Sequence, residues 1–140
     1  MADIAITAAQ IAAIDPLKSV IRSYVAASAV TKGQAVYIAT TGKVAPAGAQ
    51  VSGGKQFRGI ALNAGAASDA VDVLQDGEIA GFTVSGMNGD AIAYLSNTVG
   101  ALATAAGSTT VACGRVVTMT DGPSFTKVLR IFTRWSEDWT

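Results

Sequence analysis

The side chains that could do chemistry are few and scattered. There is no His in the chain, which removes the usual general base near neutral pH and the commonest transition-metal ligand. Cys113 is the single cysteine, so an intrachain disulfide and a thiolate metal cluster are both excluded. It sits in Val111-Ala112-Cys113-Gly114 with apolar neighbours and no His to activate it, and is expected to be a small core residue. Ser85, in Val84-Ser85-Gly86, lacks the spacing of a nucleophile elbow. Gly53-Gly54 is not followed by Gly-Lys-Ser/Thr, so no phosphate loop is present. The acids Asp69, Asp72, Asp76 and Glu78 crowd together in sequence. A hard cation needs about six or more converging oxygens, whereas alternation and an Asp76-Gly77 turn would spread these carboxylates over a solvated hairpin, where edge charges deter stray strand pairing. Lys32, Lys43, Lys55 and Arg58 stand singly near turns and read as solvated loop charges, and Arg58 and Arg115 are expected to share a structural role. No catalytic residue, cofactor or metal is expected, and the chain does not read as an enzyme.

The elements that would position these residues follow from an unusual composition. Of 140 residues, 50% are apolar but only 6% aromatic, with 27 alanines and 15 glycines. Ten basic and ten acidic residues cancel and make only 14% of the chain. Balanced charge without a Lys/Arg run argues against nucleic acid, whose binding needs many cations in one place. The longest apolar run is far below the roughly 20 residues of a membrane span, and Asp3 without a basic lead-in does not read as a secretory signal. So few charges on a small domain imply apolar surface to hide, and oligomerisation is the simplest way to hide it.

Along the chain, Ile4 and Ile6 alternate in a short extended pattern, and Thr7-Ala8-Ala9-Gln10 has capping-box spacing ahead of Ile11 and Ile14. A helix there would last barely two turns before Asp15-Pro16, so an arm ordering on a partner fits residues 1–16 as well as a packed element does. Leu17, Val20, Ile21, Tyr24 and Val25 fall at helical spacing, yet most of them are strand formers. From Ala29 the pattern is β: short Val-, Ile- and Thr-rich segments punctuated by Lys32-Gly33, Thr41-Gly42, Asp76-Gly77, Asn88-Gly89, Gly100 and Asp121-Gly122-Pro123. The strongest local hairpin signal is Val71–Gln75, Asp76-Gly77, Glu78–Val84. Ala45–Gly54 and Ala64–Ser68 read as loops too poor in bulky groups to anchor a core.

An internal echo organises the middle of the chain. Gly33-Gln34-Ala35-Val36-Tyr37-Ile38 returns as Gly89-Asp90-Ala91-Ile92-Ala93-Tyr94-Leu95, each followed by a turn ending in Gly42 or Gly100, a second short strand, and a Gly-containing strand at Arg58-Gly59-Ile60 or Gly114-Arg115-Val116. Two copies of hairpin, loop and returning strand predict a mainly β, compact barrel- or sandwich-like domain with pseudo-repeated halves. That β domain covers 17–127, between the N-terminal arm of 1–16 and a C-terminal strand and tail of 128–140. Both tryptophans, Trp135 and Trp139, lie in the last six residues beside Phe132 and Arg134. A terminus is normally frayed and polar, so these predict a docked tail, on its own barrel or on a neighbouring chain.

The stretch Ala29–Met119, about two-thirds of the chain, resembles the head-decoration, or capsid-cement, proteins of tailed bacteriophages. The resemblance rests on Ala29-Val30-Thr31-Lys32-Gly33-Gln34-Ala35-Val36-Tyr37-Ile38, Arg58-Gly59-Ile60-Ala61-Leu62, Val73-Leu74-Gln75-Asp76-Gly77-Glu78-Ile79-Ala80-Gly81, the echo at Gly89–Leu95 and Gly114-Arg115-Val116-Val117. It implies a compact β fold, a homotrimer, and attachment to the outside of an expanded phage shell after synthesis in the host cytoplasm. The major capsid protein and other copies of the chain would be the partners, with neither nucleic acid nor membrane involved. The resemblance also favours strand over helix for Val20–Ala27. On that reading the contact residues are Ile4, Ile6, Ile11 and Ile14 in the arm and Phe132, Arg134, Trp135 and Trp139 in the tail, and the barrel should stay folded without the arm. The alternatives are a phage tail or tube subunit, another β assembly module, and a small carbohydrate-binding module.

Overall fold

A computed structural model describes residues 2–121 and 124–139, with 43% of the chain in strands and 4% in helix. The chain begins with a 3-10 turn at Ala8–Gln10, followed by β1 (Ala12–Ala13), a second 3-10 turn at Pro16–Lys18 and β2 (Val20–Val25). There follow β3 (Ala35–Ile38), β4 (Val44–Pro46), β5 (Gly59–Ala61), β6 (Ala70–Ala80), β7 (Ile92–Leu95), β8 (Leu102–Ala103), β9 (Ala112–Asp121) and β10 (Ser124–Ile131). The main path of the sheet runs β4-β3-β5-β6-β10-β9-β7-β8, all antiparallel and curled into a half-barrel.

That order is a palindrome, and it is the sequence echo made visible. In one half β3 pairs with β4 and with the returning β5, which leads to β6; in the other β7 pairs with β8 and with the returning β9, which leads to β10. The halves join where β6 meets β10, at Ile79–Leu129, Glu78–Arg130 and Gly77–Ile131. Their outer ends are tied by backbone bonds from Ala35 N to Gly100 O (2.9 Å), Gly100 N to Ala47 O (2.6 Å) and Ala49 N to Ser96 O (2.9 Å). Gly59 pairs with Val36 and Gly114 with Ala93. A Cβ on Gly59 would lie 2.5 Å from the Leu74 carbonyl oxygen, and one on Gly114 would run into that of Arg130. Each returning strand therefore needs a glycine where it crosses a central strand. Aligning the halves on these glycines puts Arg58 before its glycine and Arg115 after it, so the two arginines are not equivalent. Arg115 holds Asp90 at 3.5 Å, whereas Arg58 faces the tail.

Period-two alternation sorts the side chains onto two faces. Ala35, Ile60 and Leu74 join Phe57, Ile79, Leu95, Leu102, Leu129 and Ile131 in the larger core, while their neighbours Val36, Ala61, Val71 and Val73 form a second cluster with Ala26, Val30 and Val44.

Several expectations are corrected. Asp76-Gly77 is not a turn: β6 runs unbroken through it. A primed turn needs positive φ at its central residues, and although Gly77 has φ +141°, Asp76 does not share it. The strand continues because it changes partners there, from β2 and β5 to β1 and β10, and Ser19 fills the space a side chain on Gly77 would need. The Ala45–Gly54 segment is not peripheral either: Ala47 and Ala49 are fully buried, because small side chains let the backbone pass inside to close the barrel. Thr7 makes no side-chain cap bond, so the capping-box spacing yields only a three-residue turn. Residues 20–25 form a strand, as the resemblance implied; the helical period found no surface to receive it, and Leu17 is 98% exposed. Gly122 and Pro123 of the last turn signal lie outside the described residues.

Residues 2–14 are part of the domain. Ile4 and Ile11 belong to the larger core, β1 pairs with Ile79–Ala80, and Asp3 bridges to Ala103 and Ile6 to Phe82. Further bonds run from Ile4 N to Leu102 O (2.8 Å), Thr7 N to Gly81 O (2.8 Å) and Ile14 N to Glu78 O (3.0 Å). The segment straps β8 to the far end of β6, and Ile6 and Ile11 press on the backbone at Gly33.

Candidate interaction surface

The sequence-level candidates for chemistry remain dispersed in space. Asp72 accepts a hydrogen bond from the Ser23 hydroxyl (2.6 Å), Asp76 pairs with Arg130 (3.0 Å), and Asp69 accepts from the Ala66 N–H (2.9 Å). Among the described residues no three His, Cys, Asp or Glu side chains form a group that could hold a metal ion. Among the described residues no helix is long and apolar enough to cross a membrane.

Cys113 is fully buried, and desolvation pushes its thiol pKa well above the ordinary range. The folded state therefore keeps a proton that the unfolded chain releases above about pH 8.5. The associated stability is complete below that pH. It should fall by up to about 1.4 kcal/mol per pH unit as the pH rises towards the folded pKa. Denaturant titrations of the parent and Cys113→Ala between pH 7 and 10 should diverge accordingly; parallel curves would contradict the assignment.

The proposed contact residues of the arm and tail fare differently. In the arm, Ile4 and Ile11 are buried within this chain, and Ile6 and Ile14 are half-buried. In the tail, residues 132–139 leave β10 and fold back over the segment before β5. Phe132 N donates to Cys113 O (3.0 Å), and Trp139 packs against the larger core. The Arg58 guanidinium stacks over the Trp135 ring, 4.6 Å from its centroid, and donates to the carbonyls of Phe57 (3.1 Å) and Arg134 (3.4 Å). Burial holds the Arg58 pKa below its ordinary value, so the stack places a partly desolvated cation on an aromatic face, where cation–π attraction is strongest. Gln56 donates to the Asp138 carboxylate and to Trp139 O, while its own Oε1 is buried without a partner among the described residues. Arg134 is exposed with its guanidinium 5.6 Å from the Phe132 ring centroid, and Trp135 keeps half its surface open. The tail thus docks on its own domain and presents Trp135 outward.

Two further apolar patches escaped the sequence reading. Leu17, Val20, Ile21 and Val25 are exposed on and just before β2, and Met119 and Phe125 are exposed on the β9–β10 hairpin. The signal was present in each case, as β-branched or aromatic residues in strands, but alternation cannot say which face lacks a cover. Comparison with family models, with curated proteins and with solved structures gave no match.

Proposed function

We propose that this chain is a structural virion protein that binds the outer surface of an expanded phage capsid as a homotrimer and stabilises the shell. The observation that carries the reading is the ordered set of Gly-punctuated strand motifs resembling capsid-cement proteins. In support, these motifs fall on β3, β5, β6, β7 and β9 of the two halves. The physical argument is consistent with it: large apolar side chains stand outward at Leu17, Phe125 and Trp135 on a surface with few charges, and such patches mark contact sites. A lattice repeats each weak contact at high effective concentration, so modest anchors sum to firm attachment. Trp135, held by Arg58 and half open, is the anchor of choice.

The test is sedimentation of the purified protein, alone and mixed with expanded, emptied capsids stripped of their decoration. The reading expects subunits in multiples of three and binding that makes the shells more heat-resistant. Trp135→Ala should weaken capsid binding by about tenfold or more while shifting the melting temperature of the free protein little. A tryptophan-free surface that binds as the parent does would remove Trp135 from the interface, and failure to bind any shell would remove the reading.

A further inference from the structure

The edge of β2 that faces away from β6 is open up to Val25, where Val44 of β4 meets it, and its free groups can be identified. Ala26 donates to Asp69 O (2.9 Å) and accepts from Ser68 N (2.8 Å), so its backbone points toward β6. The register Ile21–Leu74, Arg22–Val73, Ser23–Asp72, Tyr24–Val71 and Val25–Ala70 carries that parity back along the strand: Arg22 and Tyr24 face β6, while Ile21, Ser23 and Val25 face outward. Two bonds agree with this assignment. The Asp72 carbonyl opposite Ser23 is used by Leu62 N of the β5 side (2.8 Å), and the next outward residue, Ala27, donates to Val44 O (2.7 Å). The N–H and C=O groups of Ile21 and Ser23 and the N–H of Val25 have no backbone partner among the described residues, whereas the Val25 C=O is met by Val44 of β4 in the parallel bridge Ala26–Val44. This edge also lacks the usual protection: β2 has no Pro and a single charge, Arg22, begins with exposed Val20 and follows exposed Leu17.

We infer that β2 pairs antiparallel with β2 of a second copy across a two-fold axis at Ser23. The case for a second copy is the self-complementarity of the strand about that residue. Reversing Ile21-Arg22-Ser23-Tyr24-Val25 onto itself sets every outward residue opposite an outward one, so the free groups of Ile21 and Ser23 and the Val25 N–H are satisfied together, with the second lone pair of the Val25 C=O completing the outer pair. It sets Ile21 against Val25 of the second copy, an apolar β-branched pair, and Arg22 against Tyr24 of the second copy, a cation against a ring rather than another cation. Within one chain Arg22 already stands 5.9 Å from the Tyr24 centroid. The ladder ends at Val25, where Ala27 turns to β4, and a groove of about 460 Å3 lined by Tyr24, Val25, Thr41 and Lys43 leaves room for the turn preceding the second copy's strand. A ladder this short is at the small end of specific interfaces, so the association is expected to be micromolar or weaker.

The pairing does not rest on the capsid reading, and mass separates the two. Sedimentation equilibrium between about 1 and 500 μM should show two copies, or six if a trimer also forms by another surface; one copy or three overturns the pairing. Ser23→Pro removes an outward N–H and leaves the β6 ladder intact, and should weaken self-association at least about tenfold. Ser23→Cys tests the axis without depending on that variant's folding. Paired Cα atoms about 5.5 Å apart in such a ladder are within disulfide reach, and Cys113 is buried out of the way. Mild oxidation should give a covalent dimer from Ser23→Cys and none from Thr98→Cys. Equal cross-linking of the two, or a binding partner that is a foreign strand while the chain alone stays single, overturns the proposal.

Discussion

Truncation of residues 2–14 is expected to unfold the protein rather than merely detach it from a partner. Ile4 and Ile11 are 4% and 3% exposed and sit in the larger core. Replacing a buried Ile by Ala typically costs about 3 kcal/mol once the cavity is included. The pair Ile4→Ala and Ile11→Ala would then remove about 6 kcal/mol, comparable to the whole stability of many single domains. Truncation removes the same side chains, the bonds to Leu102, Gly81 and Glu78, and the β1 pairing with β6. Thermal unfolding by circular dichroism should show no cooperative transition for the truncated chain and a melting point lowered by roughly 15–20 °C for the double variant. A truncated protein melting within a few degrees of the parent would mean that the strap is dispensable and restore the free-arm picture.

Gly59→Ala should be the most damaging of the glycine replacements. Gly59 has φ +145°, and a Cβ there would come within 2.5 Å of both the Leu74 carbonyl oxygen and a Val73 methyl. Backbone strain of this kind costs about 1–3 kcal/mol, and forcing a methyl into a packed sheet adds about 1–3 kcal/mol. The sum, about 4 kcal/mol, corresponds to a melting point roughly 10 °C lower or more. Two controls separate the causes. Gly53 also has positive φ but open space around it, so Gly53→Ala should cost only about 1 kcal/mol of strain. Gly86 has neither strain nor neighbours, so Gly86→Ala should be neutral or stabilise by up to about 1 kcal/mol through the unfolded chain. If Gly59→Ala and Gly53→Ala lose the same stability, the close approach of β5 to β6 is not what demands glycine.

The contact surface was only partly legible. The tail was readable because two tryptophans near a terminus are costly to leave in water, and the structure seats Trp139 on the core and turns Trp135 outward. The β2 edge was not, because Leu17, Val20, Ile21, Tyr24 and Val25 have the spacing of a helix face, and periodicity assumes that apolar residues point inward. Here β6 received the strand by its backbone, leaving side chains on both sides of β2 in the open.

What the sequence determined by itself was local in origin. Val-, Ile- and Thr-rich segments between glycine turns set the β class, and the echo of Gly33–Ile38 in Gly89–Leu95 set two like halves, because strand preference and turn geometry act over a few residues. Only the tertiary structure decided what those segments cover. Asp76-Gly77 could be a turn or the middle of a strand, and partners on both sides of β6 chose the strand. Ala47 and Ala49 could be loop or core, and the need to join the two sheet ends drew them inside. Ile4 and Ile11 could serve a partner or their own barrel, and the open mouth between β8 and β6 took them. Burial is a property of which surfaces meet, and residues distant in sequence settle it together.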